Sequence, residues 1–360
     1  MSFSPGFDCS PGFFFTMPCY HPIQAWRSRQ GRNSNGSWPL VFNRDDGYPD
    51  MEVIVPCGRC IGCRLDKSRD WAVRCMHESS LWDSNLFLTL TYDDAHLPID
   101  NGLDKTHFQK FMKRLRKWVF DPNGLGRVPQ YEYFEDDQKH LINGVRFFHC
   151  GEYGGKRGRP HYHAIIYNLD FPDKVPYKLA PSGDQLYVSQ TLNDLWGFGY
   201  CIIGGVTFES CAYVARYIMK KQTGELSFLH YLDPVTGVIR QKEYITMSRA
   251  PGIGGQWFER YHDDVFPRGY VLSNGYPAQP PRYYVNLLDK KNHQDYLTYK
   301  NKRANIANRY KGAPDNHPDR LFTREQLASI RADQLVRPLD DQVIQQLSSY
   351  VDIAENFEKD

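Results

Sequence analysis

The sequence contains no run of apolar residues near the ~18 that a membrane-spanning helix requires. Its N-terminus also lacks a basic stretch followed by an apolar one, which is the pattern of a secretory signal peptide. These two absences predict a protein that stays in the cytoplasm and has no membrane partner.

The sequence also lacks a GxxxxGK[ST] loop, in which backbone N–H groups hold nucleotide phosphates. An ATP-driven motor is therefore excluded, and any strand separation of a nucleic acid would need a separate helicase. A strong excess of charge is missing too, because 44 Lys and Arg residues oppose 42 Asp and Glu residues, for a formal net charge of +2. A nucleic-acid-binding surface must then come from local clusters of cations.

Paired cysteines typical of disulfides are not expected in the cytoplasm, and the count of nine cysteines is odd. Three of them follow the spacing Cys57-x2-Cys60-x2-Cys63, which lets three thiolates reach one metal ion. Cys19 or His21 would supply a fourth ligand for a structural Zn²⁺. Because a second CxxC pair is absent, the alternative is three reduced cysteines in a loop before a helix.

The segment 145–168 predicts two strands joined by a glycine-rich turn. Side chains alternate along a strand, so His161 and His163 share one face of the second strand. With Glu152 on the first strand, they would form a site for one divalent cation. The alternative is a pair of half-buried strand histidines without a ligand. Three cations lie close by in the turn, namely Lys156, Arg157 and Arg159.

A second segment, 210–221, has no Gly or Pro and predicts a helix that Ser210 caps. Tyr213 and Tyr217 are four residues apart and share one face of this helix. They are either large apolar residues of a core helix or phenols placed to attack phosphorus. The cations that would hold a phosphate beside them are Arg216, Lys220 and Lys221.

Residues 104–119 predict another helix, capped by Asp104 or Thr106. It has six cations and no acidic residue between Lys105 and Trp118. Such a run forms either a solvated face or a phosphate-binding surface. The candidate DNA contacts on it are Lys110, Lys113, Arg114 and Lys117, to which Arg157, Arg159, Arg216 and Lys221 are added from the other segments.

The PHYH motif at 160–163 and the YVARY motif at 213–217 together resemble the rolling-circle replication initiators of the HUH endonuclease superfamily. In that family a His-hydrophobe-His strand binds Mg²⁺ or Mn²⁺, and a nearby helix carries one or two nucleophilic tyrosines. An apolar strand ending in Thr-hydrophobe-Thr is a third family motif, and FLTLTYDD at 87–94 is similar to it. With CGRCIGCR at 57–64, the chain looks most like the replication proteins of gokushovirus-like microviruses, which are small single-stranded DNA phages.

The resemblance covers roughly residues 57–255 and implies a chemistry. A cation on the glutamate and the two histidines would polarise the scissile phosphate, and Tyr213 or Tyr217 would attack, helped by Lys220. The products would be a 5′-phosphotyrosine link and a free 3′ hydroxyl, after which the second tyrosine would cut the regenerated origin and allow a circle to close. The implied partners are single-stranded and origin DNA, a host DNA polymerase and a host helicase, all in the host cytoplasm.

The implied fold is α+β, with about five antiparallel strands flanked by helices and with the tyrosine helix over the histidine face. We expect an N-terminal arm at 1–56 with one or two short strands, an HUH core at 57–255 that includes the cysteines, and a helical region at 256–360. A variable stretch at 169–199 and a hairpin at 232–246 belong to the expected core.

The helical region is first basic and then acidic. Residues 282–311 carry eight cations and predict one long helix. A second helix is expected to start at Thr323, with Gln326 completing a capping box. The acidic residues 340–360 are expected either to dock on the basic segment or to form a partly free tail.

A different class of function remains open on these residues. Basic helices, aromatic residues and a cysteine cluster also suit a non-catalytic protein that binds single-stranded nucleic acid. Such a protein has no need for two tyrosines one helical turn apart beside a His-x-His metal site. Formation of a covalent protein–DNA adduct distinguishes the two classes.

Overall fold

The computed structural model describes residues 19–33, 38–119, 144–154, 158–220, 231–232, 237–273, 275–309 and 317–336, and for 216–220 and 332–336 it describes the backbone alone. The strands in this part of the chain are β1 (Ile23–Ser28), β2 (Leu40–Val41), β3 (Gly47–Val55), β4 (Asn85–Thr91), β5 (Arg146–Tyr153), β6 (Pro160–Tyr167), β7 (Val175–Leu179), β8 (Gln185–Val188), β9 (Cys201–Gly204), β10 (Tyr244–Met247), β11 (Val271–Ser273) and β12 (Tyr276–Ala278). The helices are α1 (Ile61–Ser79), α2 (Lys105–Val119), α3 (Gln190–Trp196), α4 (Phe208–Lys220), α5 (Gly255–Arg268), α6 (Arg282–Lys291), α7 (His293–Arg309) and α8 (Pro318–Val336).

An antiparallel sheet of seven strands, in the order β10-β5-β6-β4-β9-β8-β7, forms the centre of the fold. The α+β class is confirmed, but the expected strand count of about five is too low. The additional strands β7 and β8 come from the stretch 169–199, whose prolines and glycines predicted a loop. Pro176 fits in β7 because this strand is at the edge of the sheet, where a missing N–H donor costs no ladder hydrogen bond.

Both faces of the sheet are covered by helices. On one face, α2 and α3 contribute Phe111, Leu115 and Trp196 to a core that also contains Tyr162 and Ile166 of β6. On the other face, α1 and α4 pack against the alternate residues of the same strands. The predicted alternation of β6 therefore holds, and the two histidines lie on the face covered by α1 and α4.

Helix α1 also belongs to a third core, which the C-terminal helices form. Ala72 and Cys75 of α1 pack toward the sheet, whereas Val73 packs with Phe258 and Tyr284 of the C-terminal helices. On the same side as Val73, His77 stacks on Trp257 with ring centroids 3.6 Å apart. The region after residue 255 is thus packed on the same helix that supports the sheet.

The glycine turn at 251–254 is fixed by a buried ion pair. The Glu78 carboxylate accepts from Arg146 Nε and, at 2.7 Å, from the backbone N–H of Gly254, while Arg146 Nη2 donates to Pro251 O at 2.9 Å. Gly254 has φ +77°, and a Cβ atom there would lie 2.4 Å from the hydroxyl of Tyr284. Only glycine fits this position.

Two helix predictions in the C-terminal region are wrong. The basic segment is not one long helix but α6 and α7, because the Asn292 side chain interrupts the helix and accepts from the N–H groups of Gln294 and Asp295 at 3.0 and 3.2 Å. The next helix starts at Pro318 and not at Thr323, whose hydroxyl donates to Asp319 O within the helix. The acidic residues 340–360 lie outside the described residues.

Other boundaries also differ from the predictions. The N-terminal arm contains a three-stranded sheet in the order β2-β1-β3 where one or two short strands were expected. In the expected hairpin at 232–246, Leu232 forms a single bridge with Ile239, and β10 pairs with β5 instead. Helix α2 begins as predicted, since Asp104 Oδ1 accepts from Thr106 N at 2.7 Å. None of the described helices is both long enough and apolar enough to cross a membrane.

Candidate metal centre and nucleophile

The antiparallel register of β5 and β6 brings the predicted ligands together. Glu152 pairs with His161, and Cys150, two residues earlier on the same face, pairs with His163. A residue and its cross-strand partner point to the same side of a sheet, so the carboxylate lies opposite one imidazole and diagonal to the other. All three side chains therefore face α4.

The ligand atoms of this Glu-His-His set converge. Glu152 Oε1 lies 2.6 Å from Nε2 of His161 and 3.0 Å from Nε2 of His163. Each Nδ1 atom has a partner of its own, because His161 Nδ1 is 3.2 Å from Arg159 O and His163 Nδ1 is 3.1 Å from Thr89 Oγ1. With Nδ1 so engaged, the Nε2 atoms of both rings are directed to one point together with the carboxylate, as metal-ligating histidines usually are.

The set is buried, which corrects the expectation of surface-facing histidines with little packing. His161 and His163 are 3% and 5% exposed, and Glu152 is fully buried. Burial alone would raise the pKa of the Glu152 carboxyl, but the charge and hydrogen bond of His161, with the hydrogen bond of His163, lower it to about 2. The carboxyl is therefore ionised at neutral pH and presents one negative and two imidazole ligands.

Helix α4 places a tyrosine hydroxyl over these ligands. Cys211, Val214 and Ala215 are buried against the core, which fixes the rotation of the helix and directs Tyr213 toward the sheet. Tyr213 Oη lies 3.5 Å from His163 Nε2, and the two rings meet edge to face with centroids 5.0 Å apart. One of the two predicted nucleophiles thus lies beside the predicted metal ligands.

The helix begins earlier than predicted, and Ser210 is not its cap. Thr207 Oγ1 accepts from Ser210 N at 3.2 Å, and Ser210 Oγ accepts from Thr207 N at 2.9 Å. This reciprocal pair is a capping box in which Ser210 occupies the third helical position. The side chains of five predicted residues lie outside the described residues, namely Arg157, Arg216, Tyr217, Lys220 and Lys221.

Thr89 orients His163, a role that its place in the apolar strand motif does not predict. It belongs to β4, which pairs with β6 so that Thr89 is opposite His163. The other threonine of the motif, Thr91, donates to Tyr200 O at 2.8 Å instead. Alternation along β4 predicts which face both threonines share, but no sequence pattern distinguishes their partners.

The predicted DNA contacts on α2 fall into two groups. Lys110, Lys113 and Lys117 are exposed, whereas Arg114 donates from Nε and Nη2 to the carbonyls of Leu195 and Trp196, each at 2.7 Å. The Arg114 guanidinium therefore caps the C-terminus of α3. Near the metal ligands, Arg159 pairs with Asp94 at 2.5 Å and donates to Tyr92 O at 2.9 Å.

Four cysteines form a second group of candidate ligands. The Sγ atoms of Cys19, Cys57, Cys60 and Cys63 lie within 4.8 Å of one another. Backbone N–H groups point at the sulfurs, with Cys57 N 3.1 Å from Cys19 Sγ and Cys60 N 3.3 Å from Cys57 Sγ. Cys19 and not His21 completes the group, since the imidazole of His21 pairs with Glu325 of α8 at 2.8 Å.

Residues 85–222 of the chain match the family model of replication-associated protein ORF2. The chain is 35% identical over 285 residues to replication-associated protein VP4 of Bdellovibrio phage phiMH2K, which is 79% of this chain and 81% of that protein. It is 32% identical over 311 residues to replication-associated protein ORF2 of Spiroplasma virus 4, which is 81% and 88% of the two chains. A third relative, replication-associated protein ORF4 of Chlamydia phage 1, is 32% identical over 254 residues, or 68% and 57%. No solved structure matches the chain.

The matched segment begins at β4 and contains Glu152, His161, His163 and Tyr213. The similarity to the first two relatives extends over most of both chains, so it includes elements outside this segment. The chain therefore belongs to the ORF2 family of phage replication-associated proteins, which confirms the resemblance to gokushovirus-like microvirus rolling-circle initiators.

Proposed function

We propose that this protein initiates replication of a small circular phage genome by cutting one DNA strand through tyrosine attack. The observation that carries the proposal is the hydroxyl of Tyr213, 3.5 Å from His163 in a buried Glu-His-His ligand set. A role in phage DNA replication follows from the family; the nicking chemistry is the proposal.

The donor set fits a divalent cation of the Mg²⁺ or Mn²⁺ type. One carboxylate oxygen and two imidazole nitrogens lie within 4.8 Å of one another, a mixed set that a hard or borderline cation accepts. Such a cation would polarise the scissile phosphate and stabilise the departing 3′ oxygen. Glu152, His161 and His163 would hold it and leave the remaining positions to DNA and water.

The protein's own part in the reaction is to deliver and orient the nucleophile. The Tyr213 oxygen attacks phosphorus, the bond from phosphorus to the 3′ oxygen breaks, and the DNA is left with a 5′-phosphotyrosine and a free 3′ hydroxyl. The phenol proton must leave, and a neighbouring cation such as Lys220 favours the phenolate. Tyr217, one turn along the same helix, is proposed to make the second cut that releases a circle.

Origin and single-stranded DNA are the proposed substrates, held by the exposed lysines of α2. A host polymerase would extend the 3′ hydroxyl and a host helicase would separate the strands, in the host cytoplasm. Incubation with an oligonucleotide library and Mn²⁺, followed by a denaturing gel, tests the proposal. A covalent protein–DNA band is expected, and its absence across a range of metal concentrations would favour the non-catalytic binding protein.

Replacing Thr89 with valine is expected to weaken Mn²⁺ binding by about 10- to 100-fold, as loss of a hydrogen bond to a metal-ligating histidine usually does. The valine keeps the size of the side chain but removes the partner of His163 Nδ1, so the imidazole loses its fixed orientation. Calorimetric titration of the free protein with Mn²⁺ measures the effect without relying on activity.

Thr91→Val is the matched control for this change. Thr91 lies on the same strand and face, and its hydroxyl donates to a backbone carbonyl and not to a histidine. The control should bind Mn²⁺ with the affinity of the parent protein. Equal weakening in both variants would mean that Thr89 acts on the strand and not on His163.

The cysteine cluster is proposed to hold one structural Zn²⁺. Four sulfurs around a tetrahedral Zn²⁺ at ~2.3 Å are about 3.8 Å apart. The Cys57–Cys63 and Cys19–Cys60 sulfur pairs are each separated by 4.0 Å, which is close to that spacing. N–H groups directed at the sulfurs favour the thiolate form, and they lower the pKa of Cys57 to about 6 although burial opposes this.

We expect elemental analysis of the purified protein to find one zinc per chain. Cys60→Ser should remove the zinc and lower the thermal unfolding midpoint by several degrees, because about 1 kcal/mol corresponds to roughly 2–4 °C in a protein of this size class. The rate of adduct formation should change less than the stability. Cys201→Ser, a buried cysteine of β9 outside the cluster, should keep the zinc. Zinc-free parent protein would contradict the assignment.

A further inference from the structure

Helix α7 presents an unusual row of polar side chains to solvent. Tyr299 on its inner side is 6% exposed and meets Phe266 edge to face at 5.3 Å, which fixes the rotation of the helix against α5. The outer side carries five exposed residues at spacings of four and three, here called the polar stripe: Gln294, Thr298, Asn301, Asn305 and Asn308. At 3.6 residues per turn they fall within an arc of about 80° and extend for about 21 Å.

The composition of the polar stripe is unfavourable for a helix that serves only as a solvated surface. Asparagine and threonine are weak helix formers, because their side chains compete for backbone groups, and exposed positions usually hold lysine, glutamate or alanine. Within the described part of the chain, the amides of Asn301, Asn305 and Asn308 make no hydrogen bond. The stripe thus presents donors and acceptors in a row that the fold itself does not use.

The charge around the stripe favours an anionic partner. Lys300 and Arg309 lie on opposite sides of it and are exposed, and Lys290 at the end of α6 adds a third exposed cation. The nearby acids are engaged, since Asp295 accepts from the Asn292 amide at 2.7 Å and Asp289 pairs with His293 at 2.7 Å. Cations beside a row of amides suit a surface with phosphates on both sides and base edges between them.

From these observations we infer that α7 is a recognition helix that enters the major groove of duplex DNA and reads adenines with the polar stripe. Asparagine and glutamine amides form paired hydrogen bonds with N6 and N7 of adenine, and a major groove about 12 Å wide admits one helix. The flanking cations would contact the phosphates and set the register of the helix. This inference deepens the proposed function, on which it rests for the choice of DNA, and assigns recognition of a duplex to a surface outside the Glu-His-His set.

Selection from a random duplex library with the full-length protein, in the absence of divalent cations, tests the inference. We expect enrichment of a duplex site containing adenines. The ratio of its Kd to that of a scrambled duplex of the same composition, measured by anisotropy at fixed salt, should shrink at least about tenfold in Asn301→Ala/Asn305→Ala. Because alanine is the better helix former, this loss cannot be attributed to unfolding of α7.

Two control variants make the result specific. Gln326→Ala removes an exposed amide from α8 and should leave the ratio unchanged. Lys300→Ala should weaken binding to both duplexes by the same factor, as loss of a phosphate contact does. No enriched duplex, enrichment of single strands alone, or an unchanged ratio in the double asparagine variant would overturn the inference.

The same proteins separate this inference from the proposed nicking. Adduct formation on a single-stranded oligonucleotide does not require duplex recognition, so the asparagine variant should retain it. A protein that selects a duplex but forms no adduct contradicts the nicking proposal alone. A protein that forms the adduct and has no duplex preference contradicts the recognition helix alone.

Discussion

Changing Glu152 to glutamine is expected to lower the rate of covalent adduct formation by at least about 100-fold. A bound cation contributes several kcal/mol to stabilising charge in the transition state, and each 1.36 kcal/mol is a factor of about ten in rate. The amide keeps the shape of the side chain but removes the negative charge that lies 2.6 Å and 3.0 Å from the two imidazoles. Gel analysis of single-turnover reactions over a Mn²⁺ titration measures the effect.

The control for this variant is Glu243→Gln. Glu243 is also buried, at 5% exposure, and its carboxylate accepts from the Tyr231 hydroxyl, but it is not part of the ligand set. It reports the cost of removing a buried carboxylate in general. If Glu152→Gln formed the adduct at the parental rate, the metal ligands would be misassigned.

The histidine ligands should behave like Glu152 in activity but not in stability. Both rings are buried and hydrogen-bonded, so His161→Ala and His163→Ala should abolish cleavage and also lower the unfolding midpoint. Glu152→Gln is the sharper test because it changes charge with little change in packing.

The second large effect is expected from the tyrosines. Tyr213→Phe/Tyr217→Phe should form no adduct at all, because a phenylalanine ring has no oxygen to attack phosphorus. Each single variant should retain some cleavage of an oligonucleotide and should fail in the complete cycle of cutting and rejoining. The reason is that two hydroxyls one turn apart, about 6 Å along the helix axis, can each reach one phosphate with small adjustments. Denaturing gels of single cleavage and of circle formation measure the two halves.

Tyr187→Phe, a half-buried tyrosine of β8, is the matched control and should behave as the parent protein in both assays. Tyr213→Phe should remain folded, since the change keeps the ring contacts with Phe87 and His163. If Tyr217→Phe completed the cycle normally and Tyr213→Phe were inactive, the protein would use one nucleophile. The two-tyrosine division would then be wrong, and the metal site would stand.

The sequence predicted the site better than its surroundings for a physical reason. The ligands lie on one hairpin with a short turn, so alternation along β6 is enough to place His161 and His163 on one face. Their approach to Glu152 depends on the register of β5, which the hairpin restricts. The distance to Tyr213 depends on the packing of α4 on the sheet, and only the family resemblance predicted it.

The features that were predicted wrongly depend on contacts distant in the sequence. Burial of the histidines results from the cover of α1 and α4, which no local pattern reports. The edge strands β7 and β8 contain turn-forming residues that predict a loop, yet pairing with β9 extends the sheet through them. The helix break at Asn292 depends on one side-chain cap within a segment that is otherwise helical in composition.

The sharing of α1 between two cores limits how this protein can be divided. Ala72 and Cys75 support the sheet, while Val73 and His77 are covered by the helices after residue 255. A fragment ending at that point would expose the apolar side of α1 and lose the Gly254 partner of the buried Glu78. Recombination between related phages would therefore preserve folding only where α1 and the C-terminal helices are inherited together, so that the cutting and helical regions evolve as one unit.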